Sequence, residues 1–427
     1  MVAAGFAFIS SARAGVAVAD YPQLTEHTAV LAGVLDAPAQ VTLYWGTSNG
    51  GTNVALWPNA QSLGSLASGG FTAQLTGLQT FHKYYFAFRA SAGANVYWTT
   101  PGNFRPQMQG MLYATGFEAT ELFPFNPGSL DSQGGSLPWH VKAGSATVGT
   151  GTSAHGTQAV QVSAGWIDFG CLKTNSVLWL DAFYFNAGST ISPLLPTNTT
   201  AAALFFSVTN GLLALDGDGQ GNGVFVQVVP ALPTNRFVRV SLRLDYSAQH
   251  YDVWVDGVTQ RTGLGFKDTA ATRLNGTQLR TSQTGFVDDF SISTWGLDAD
   301  SDGDGLNDLD EAKFYDSYPL LADSTGCGMT DMQKVIAGLD PGDATAVFAV
   351  QMDKNTNGTL RVTIPTVTGR QYTLQRISLL NGGAWANVPS MTAFTGDGTA
   401  WSYSETNSAL TYFYRGVVSL PGGLPQP

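Results

Sequence analysis

The sequence predicts a mainly all-β chain of tandem β-sandwich modules, interrupted by one short acidic segment with helical turns. Short runs of alternating apolar and polar residues are separated by turns rich in Gly and Asn. Aromatic residues make up 11% of the chain and charged residues only 12%, and there are 50 glycines, a composition typical of β-modules with many turns. The length of 427 residues is enough for two to four such modules.

Residues 1–14 are predicted to be either the remnant of a secretory signal peptide or an N-terminal strand. A short apolar run ends at Ala12-Arg13-Ala14, which has the form of a signal-peptidase site. No basic residue precedes that run, whereas a signal peptide usually begins with one. The cleavage-site pattern favours export, and therefore an extracellular or cell-surface location.

Residues 15–105 are predicted to form the first sandwich, with strands at 28–35, 41–46, 71–75 and 84–90. The stretch Thr76-Gly77-Leu78, followed by two tyrosines, resembles the corner of fibronectin type III-like modules of secreted bacterial proteins. The proline usual at this corner is replaced by residues 79–82. Three aromatic residues are expected in the core and His82 in a structural role; the aromatic residues are Trp45, Trp57 and Tyr85.

Residues 110–293 are predicted to form a second, larger module with about ten strands, a number that suggests a jelly roll. Asn210-Gly211 and Asp256-Gly257 are strong hairpin turns. The run 236–266 and the run 286–293 resemble laminin-G-like, concanavalin-type domains. The resemblance implies binding of glycans or proteins at rim loops, often with a calcium ion. The predicted strands are 177–185, 203–208, 212–215, 224–229, 237–246, 251–255 and 286–293.

Some glycoside hydrolases share this jelly-roll fold, but the module lacks an evident catalytic pair. Glycoside hydrolysis requires two carboxylates that flank the bond, and the only glutamates here are Glu118 and Glu121, near the start of the module. Adjacent residues of a strand point to opposite faces, and the same is expected of Asp288 and Asp289. They are interpreted as a solvated or hydrogen-bonded pair, as is usual for Asp, with calcium ligation at the rim as the alternative. Residues 216–219 are interpreted as a loop. We expect a non-catalytic protein.

Residues 297–341 form an acidic segment that carries nearly all of the net charge. From Asp298 to Asp343 there are 11 Asp, one Glu and two Lys, a charge of −10 out of −11 for the chain. Counting from Asp300, the sequence reads D-x-D-x-D-G-x-x-x-x-x-E, the pattern of a calcium loop. Alternate aspartates supply hard oxygen ligands and Gly305 permits the sharp turn; the alternative is a solvated acidic linker. The predicted ligands, with a backbone carbonyl at Leu306, are Asp300, Asp302, Asp304, Leu306, Asp308 and Glu311.

A second copy of this pattern follows 23 residues later, from Asp323 to Lys334, with changes that oppose calcium binding. Asp323, Gly328 and Asp331 keep their positions, but Lys334 replaces the terminal Glu. Each loop is followed by a predicted helical stretch, 311–315 and 330–337. The two loops together resemble thrombospondin type 3-like and dockerin-like calcium repeats. Because the second loop is altered and internal, a rigid spacer is favoured over a docking plug.

Residues 346–420 are predicted to form a C-terminal β-sandwich, and residues 421–427 a tail. Strands are expected at 360–364, 371–376, 401–404 and 412–418. This pattern resembles the C-terminal sandwich modules of secreted bacterial proteins. Residues 353–358 begin like a calcium loop but lack its terminal Glu, so they are interpreted as a hairpin turn.

Charge and composition also bear on the partners. No basic patch or stripe is present, which argues against nucleic acid, and no run is long and apolar enough for a membrane span. Cys171 and Cys327 are interpreted as isolated thiols, although a sequence alone cannot decide whether they pair.

These observations favour a secreted, non-catalytic, calcium-binding structural or adhesive protein that self-associates or binds other surface proteins. Calcium would stiffen the joint between β-modules, and the modules could assemble into fibres or a layer. The alternative is a glycan-binding, lectin-like protein, with a glycosidase or lyase less favoured. For the lectin-like alternative, the candidate sugar-stacking residues are Trp139, Trp166 and Trp295, for which the core is the usual alternative position.

Overall fold

The chain is mainly β, as the sequence predicts, and forms two compact units, Met1–Thr294 and Trp295–Pro427. The computed structural model describes residues 15–25, 27–79, 84–104, 106, 110–118, 125–132, 139–185, 189–190, 192–315, 317–354, 359–378, 383–405 and 412–421. The predicted segment 1–14 and His82 lie outside these residues, as does most of the tail 421–427.

The first part of unit Met1–Thr294 is a sandwich of a three-stranded and a five-stranded sheet, with strand orders β1-β2-β5 and β4-β3-β6-β7, and β8 paired with β6. In β2, buried and partly exposed residues alternate, so one face of the strand lies in the core. The elements are β1 (Val16–Leu24), β2 (Thr28–Leu35), β3 (Ala39–Gly46), a 3₁₀ turn (Val54–Leu56), β4 (Asn59–Leu66), β5 (Gly69–Thr76), β6 (Tyr84–Ala92), β7 (Asn95–Trp98) and β8 (Gly102–Phe104).

Both sheets contribute to one core, in which Leu31 of β2 and Leu43 of β3 are fully buried. Trp57 is buried, as expected, in a smaller adjoining cluster. Trp45 and Tyr85, which were also expected in the core, are only partly buried. Trp45 packs against the main core and Tyr85 against the smaller cluster.

The second part of the same unit contains a nine-stranded and a three-stranded sheet over one large core. The nine-stranded order is β10-β11-β12-β20-β13-β17-β18-β19, with β9 paired to β20, and the three-stranded order is β14-β15-β16. The elements are β9 (Met111–Thr115), β10 (Gly128–Ser129), a 3₁₀ turn (Leu130–Ser132), β11 (Trp139–Thr150), β12 (Gln158–Lys173), β13 (Val177–Phe185), β14 (Leu204–Ser207), β15 (Gly211–Gly217), β16 (Gly223–Val229), β17 (Val238–Asp245), β18 (His250–Val255), β19 (Val258–Gly265) and β20 (Leu274–Ser293).

The hairpin predictions in this part are supported by the backbone. Asp256 and Gly257 both have positive φ, +49° and +73°, which a tight hairpin turn between β18 and β19 requires. Gly211 likewise has a φ of +70° at the turn between β14 and β15.

The longest strand, β20, was predicted only over 286–293 but begins at Leu274. Its first part pairs with β12 and its last part with β13 and β9. The sequence pattern also does not predict β11 and β12, because their Gly, Ser and Ala residues interrupt the alternation of apolar side chains.

Unit Trp295–Pro427 combines the acidic segment with the C-terminal sandwich. The predicted helical stretches are present as α1 (Asp308–Asp310), continued by a π-helical turn (Glu311–Tyr315), and α2 (Asp331–Ala337). Thr330 and Gln333 form a capping box at the start of α2, and Gly338, at a φ of +76°, ends it directly after the predicted stretch 330–337. Among the described residues, none of the helices has the length and apolar character needed to cross a membrane.

The C-terminal sandwich has sheet orders β21-β22-β26 and β24-β23-β25, with β27 paired to β23. Val362 of β22 and Leu374 of β23 are fully buried in its common core. β21 and β22 are antiparallel with Lys354 opposite Leu360, as a hairpin requires, although residues 355–358 lie outside the described chain. The elements are β21 (Gln351–Lys354), β22 (Leu360–Ile364), β23 (Gln371–Ile377), β24 (Ala386–Asn387), a 3₁₀ turn (Pro389–Met391), β25 (Phe394–Thr395), β26 (Trp401–Ser404) and β27 (Phe413–Ser419). Cys171 and Cys327 are both free thiols.

Candidate metal centre

The loop that begins at Asp300 curls because its backbone N–H groups turn inward onto its first aspartate. The carboxylate of Asp300 accepts the N–H of Gly303 at 2.8 Å and that of Gly305 at 3.0 Å. Both glycines have positive φ, +77° and +106°, a region that residues with a side chain rarely adopt. The sharp turn expected at Gly305 is therefore present, and it folds the acidic side chains towards one another.

This turn brings together the aspartates at the three alternating positions. One oxygen from each of Asp300, Asp302 and Asp304 lies within 4.8 Å of the other two. Three carboxylates at this separation repel one another, and a hard divalent cation would be attracted to all three. Of the six predicted ligands, these three form the cluster.

Two buried carboxylate oxygens nearby have no hydrogen-bond partner among the described residues: Oδ2 of Asp302 and Oε2 of Glu311. Glu311 is fully buried, and its other oxygen accepts the hydroxyl of Ser317 at 3.1 Å. Burial, and after it the charge of Asp302, raises the pKa of Glu311 to about 9; burial also raises the pKa of Asp302. Since a buried carboxylate oxygen requires a partner, and a divalent cation would provide one, the residues present fit a calcium ion.

The remaining two predicted ligands have different surroundings. Both oxygens of Asp308 accept hydrogen bonds from Ser301, one from its N–H at 2.8 Å and one from its hydroxyl at 2.7 Å. Asp308 is buried, so this contact fastens the start of the loop to the first turn of α1. Leu306 buries its side chain and would bind an ion only through its carbonyl. The ligand roles of Asp308 and Leu306 stay predictions.

The second loop, 323–334, repeats this frame at the same spacing. Asp323 accepts the N–H of Gly328 at 2.7 Å, as Asp300 accepts that of Gly305; its other N–H partner, Cys327 at 3.2 Å, stands at position 5, where the first loop uses Gly303 at position 4. Asp331 accepts the N–H of Ser324 at 3.2 Å and its hydroxyl at 2.6 Å, the counterpart of the contact between Ser301 and Asp308. Ser301 and Ser324 both occupy the second position of their loop. This shared serine is visible in the sequence, but a prediction based only on the acidic residues does not include it.

A contact that the sequence did not predict connects the two loops. Oδ2 of Asp304, in the first loop, accepts the backbone N–H of Met332 at 2.8 Å, near the start of α2. Asp304 therefore belongs to the aspartate cluster and also binds the N-terminal end of α2, in the second loop. The sequence predicts the helical stretch 330–337 but not the partner of the N–H groups at its start, which have no acceptor within the helix.

The carboxylates of the second module hold backbone segments together. Asp288 is fully buried and accepts the N–H of Ala154 at 2.7 Å, and the side chain of Asp289 contacts the ring of His155. The prediction that the two aspartates face opposite sides is wrong, because Asp289 has a φ of +47°, which breaks the alternation. The interpretation as a hydrogen-bonded pair agrees with these contacts. Burial, followed by the charge of Asp289, raises the pKa of Asp288 to about 7.

The other carboxylates considered in this module are also held by backbone groups. Glu118 accepts the N–H groups of Thr157 at 2.7 Å and Gln158 at 2.8 Å, while Glu121 lies outside the described residues. The interpretation of 216–219 as a loop is wrong for its first half, because Asp216 and Gly217 pair with β16 as the end of β15. Asp218, just after the strand, accepts the N–H of Gln220 at 2.8 Å. These contacts assign structural roles to Glu118 and Asp218.

The candidate tryptophans have different environments. Trp139 is buried and donates its indole N–H to the hydroxyl of Tyr113 at 2.9 Å, so it is a core residue and not a rim platform. Trp166, on β12, is partly exposed and has the guanidinium of Arg280 at 4.7 Å from its ring centre. Trp295 is partly buried in the other unit.

Comparisons with known proteins place the chain near other β-rich structures at low similarity. No protein-family model and no curated protein matches the chain. Domain 4 of AbnA, an extracellular GH43 arabinanase from Geobacillus stearothermophilus, is 17% identical over 44% of this chain and 93% of its own, with a TM-score of 0.21. The FN1–FN3 domains of chicken CNTN1 are 9% identical over 96% and 95%, with a TM-score of 0.17.

A proposed carbohydrate-binding protein from Bacteroides ovatus is 10% identical over 97% of both chains, with a TM-score of 0.19. The solved structures similar to this chain thus include fibronectin-type and carbohydrate-binding proteins. Because the TM-scores and identities are low, these similarities carry no inference about function.

Proposed function

We propose that this chain is a secreted, non-catalytic, calcium-binding structural or adhesive protein of the cell surface or extracellular matrix. The observation that carries the proposal is the pair of buried oxygens of Asp302 and Glu311, which have no hydrogen-bond partner among the described residues and accompany the cluster of three aspartates. A solvated acidic linker would not bury a glutamate completely, as Glu311 is.

The chain's own residues indicate what a bound ion would do. Asp300, Asp302 and Asp304 would hold it from the loop, and Glu311 from the start of the π-helical turn, so the ion would tie the loop to the helix. Because it would bind the folded loop and not the unfolded chain, it would stabilise the fold by mass action. Extracellular calcium loops often have dissociation constants of about 10⁻⁴ to 10⁻³ M, so ambient calcium would control the stiffness of this segment.

Self-association is supported by the low charge and by the sheet edges. Only 12% of residues are charged, and in the described chain β19 ends its sheet with Val258 59% exposed. An edge strand presents unpaired backbone groups that can pair with a second copy. Assembly into fibres or a layer is therefore part of the proposal.

The first test is calcium-dependent stability of the full chain. At about 10 mM calcium, a dissociation constant of about 10⁻⁴ to 10⁻³ M predicts a gain of about 1.4 to 2.7 kcal/mol in the free energy of unfolding. The gain is measured by chemical denaturation in calcium and in chelator, with magnesium as the control ion. Equal stability in calcium and in chelator would overturn the calcium proposal.

The second test addresses assembly. Negative-stain microscopy in calcium should show fibres or sheets that loosen when chelator is added. Isolated particles in both conditions would reject self-association while leaving calcium binding to the first test.

Glycan binding is the second candidate function, and a row of side chains on the second module favours it. Trp166 and Asp168 lie on the outward face of β12, opposite Arg280 and Gln278 of β20. Oδ1 of Asp168 is buried without a hydrogen-bond partner in the described chain. An aromatic ring beside polar planar groups is suited to stacking and hydrogen bonding with a sugar.

The test of this candidate is a glycan array with the wild type and with Trp166→Ala. Binding that is lost in Trp166→Ala and kept in Trp98→Ala, a substitution in the first module, would support a lectin function. An array without any signal would remove this candidate.

A further inference from the structure

Lys334 is a buried cation at the place in the second loop that Glu311 occupies in the first. It is fully buried, yet three oxygens surround its side-chain nitrogen. Nζ donates to the hydroxyl of Thr325 at 2.7 Å, to the carbonyl of Asp343 at 2.8 Å and to that of Pro341 at 3.2 Å. An ammonium group has three protons, so these oxygens match its number of donors; the thiol of Cys327 also interacts with Lys334.

The partners of Lys334 show what its ammonium group replaces. Thr325 occupies the third position of the second loop, which corresponds to Asp302 in the first. The two carbonyls belong to the turn that leads from α2 into the C-terminal sandwich. A positive charge surrounded by oxygens is the arrangement that a calcium loop offers to its ion; here the charge belongs to the protein itself, and its oxygens come from the loop and from the turn after α2.

The geometry points to Lys334 as a resident cation that keeps the second loop folded without metal and thereby positions the calcium loop. Lys334 lies on α2, and this helix connects it to the first loop. The N–H of Met332 in the same helix donates to Asp304 of the aspartate cluster, so a fixed α2 holds one of the candidate ligands in place. Lys334 is thus a positioning residue for an ion that it does not contact.

This inference extends the proposed calcium function, but its two parts can be tested separately. The first experiment measures amide hydrogen exchange of the full chain in chelator. Amides of Val335–Ala337 in α2 should stay protected, whereas those of the first loop should exchange at least about tenfold faster than in calcium. Loss of protection in both loops when calcium is removed would overturn the resident-cation role. If calcium changes neither loop, the proposed calcium function fails while the α2 measurement still stands.

The second experiment uses Lys334→Met, with Lys334→Arg as the conservative variant and Lys354→Met as the control for an exposed lysine. Since hydrogen bonds to a charged group are strong, Lys334→Met should raise exchange in α2 by at least about tenfold in chelator. It should also weaken calcium binding at least about threefold, the lower end of couplings between residues in one network. Lys334→Arg, which keeps the charge, should lie closer to the wild type in both measurements.

Each outcome of this experiment supports or rejects the role of Lys334 as a resident cation. If Lys334→Met keeps wild-type exchange and affinity, the role of the cation is rejected. If Lys334→Met does not fold, Lys334→Arg carries the test: protection of α2 in chelator supports a role for the charge, and its loss rejects it. If Lys354→Met has the same effects as Lys334→Met, the effect is general and the proposal is overturned.

Discussion

The two loops of the acidic segment share one frame and differ in the charge that completes them. In each loop the first aspartate accepts backbone N–H groups from the glycine turn, and a serine at the second position binds an aspartate at the ninth. The first loop ends in a buried glutamate, Glu311, one oxygen of which has no hydrogen-bond partner in the described part of the chain. The second ends in a buried lysine, Lys334, with three oxygen partners.

This difference shows that the hydrogen-bonded frame of a loop does not depend on whether the loop would bind an ion. The hydrogen bonds that curl both loops are made by the chain itself, so they do not specify a metal. Position 12 supplies a buried carboxylate in the first loop, which would bind an external cation, and a buried ammonium group in the second, which is bound by three neutral oxygens of the protein. The contact between Asp304 and Met332 then joins a loop that would depend on calcium to one that would not.

The largest expected effect is that of Glu311→Gln on the response to calcium. Glutamine offers one neutral oxygen where glutamate offers two charged ones, so the variant should lose most of the gain of about 1.4 to 2.7 kcal/mol expected at about 10 mM calcium. Chemical denaturation in calcium and in chelator measures this gain. Asp353→Asn, which removes an exposed carboxylate paired with Arg361, is the control and should respond to calcium as the wild type does. An unchanged response in Glu311→Gln would remove Glu311 from the ligand set.

The next comparison places the same substitution in both loops, Asp308→Asn and Asp331→Asn. An amide offers one neutral acceptor oxygen in place of two charged ones, so it weakens the hydrogen bonds from the serine, which costs about 1 to 3 kcal/mol in a buried setting. For Asp331→Asn the loss of stability should differ little between calcium and chelator, because α2 affects the ion only through the contact between Met332 and Asp304. For Asp308→Asn the loss should be larger in calcium, because the substitution also disturbs the ion. Equal losses for both variants in both conditions would show that the loops do not differ in this way.

Much of this segment could be predicted from its sequence because its signals are local. The spacing of the aspartates, the glycine at position 6 and the capping residues of α2 each act within a few residues, and the turn at Gly305 and the end of α2 at Gly338 agree with the prediction. The contact between Asp304 and Met332 could not be predicted in this way, since it joins residues 28 apart in the chain.

The β-modules show the same limit over longer distances. Strands with a strong local pattern, such as the nearly continuous apolar run of β13 and the alternation of β22, are predicted with their observed bounds. β12, whose Ala164 has a φ of +46° and interrupts the alternation, was not predicted. The predicted orientation of Asp289 is wrong for the same reason, because a local positive φ changes which face a side chain occupies. Strand pairing and backbone irregularities depend on contacts between distant residues, which periodicity does not encode.

The smallest expected effect, and the one that sharpens the comparison of the frames, is that of Ser301→Ala and Ser324→Ala. Each removes one hydroxyl that donates to the aspartate of its own loop, a contact worth about 0.5 to 1.5 kcal/mol. Ser324 is 4% exposed and its hydroxyl also accepts the N–H of Tyr318 at 2.6 Å, whereas Ser301 is exposed and water can replace its hydroxyl. Denaturation in chelator should therefore place Ser324→Ala near the upper end of this range and Ser301→Ala near the lower end. If Ser301→Ala were the more destabilising, the metal-independent stability would reside in the first loop, and the contrast between the loops would have to be reversed.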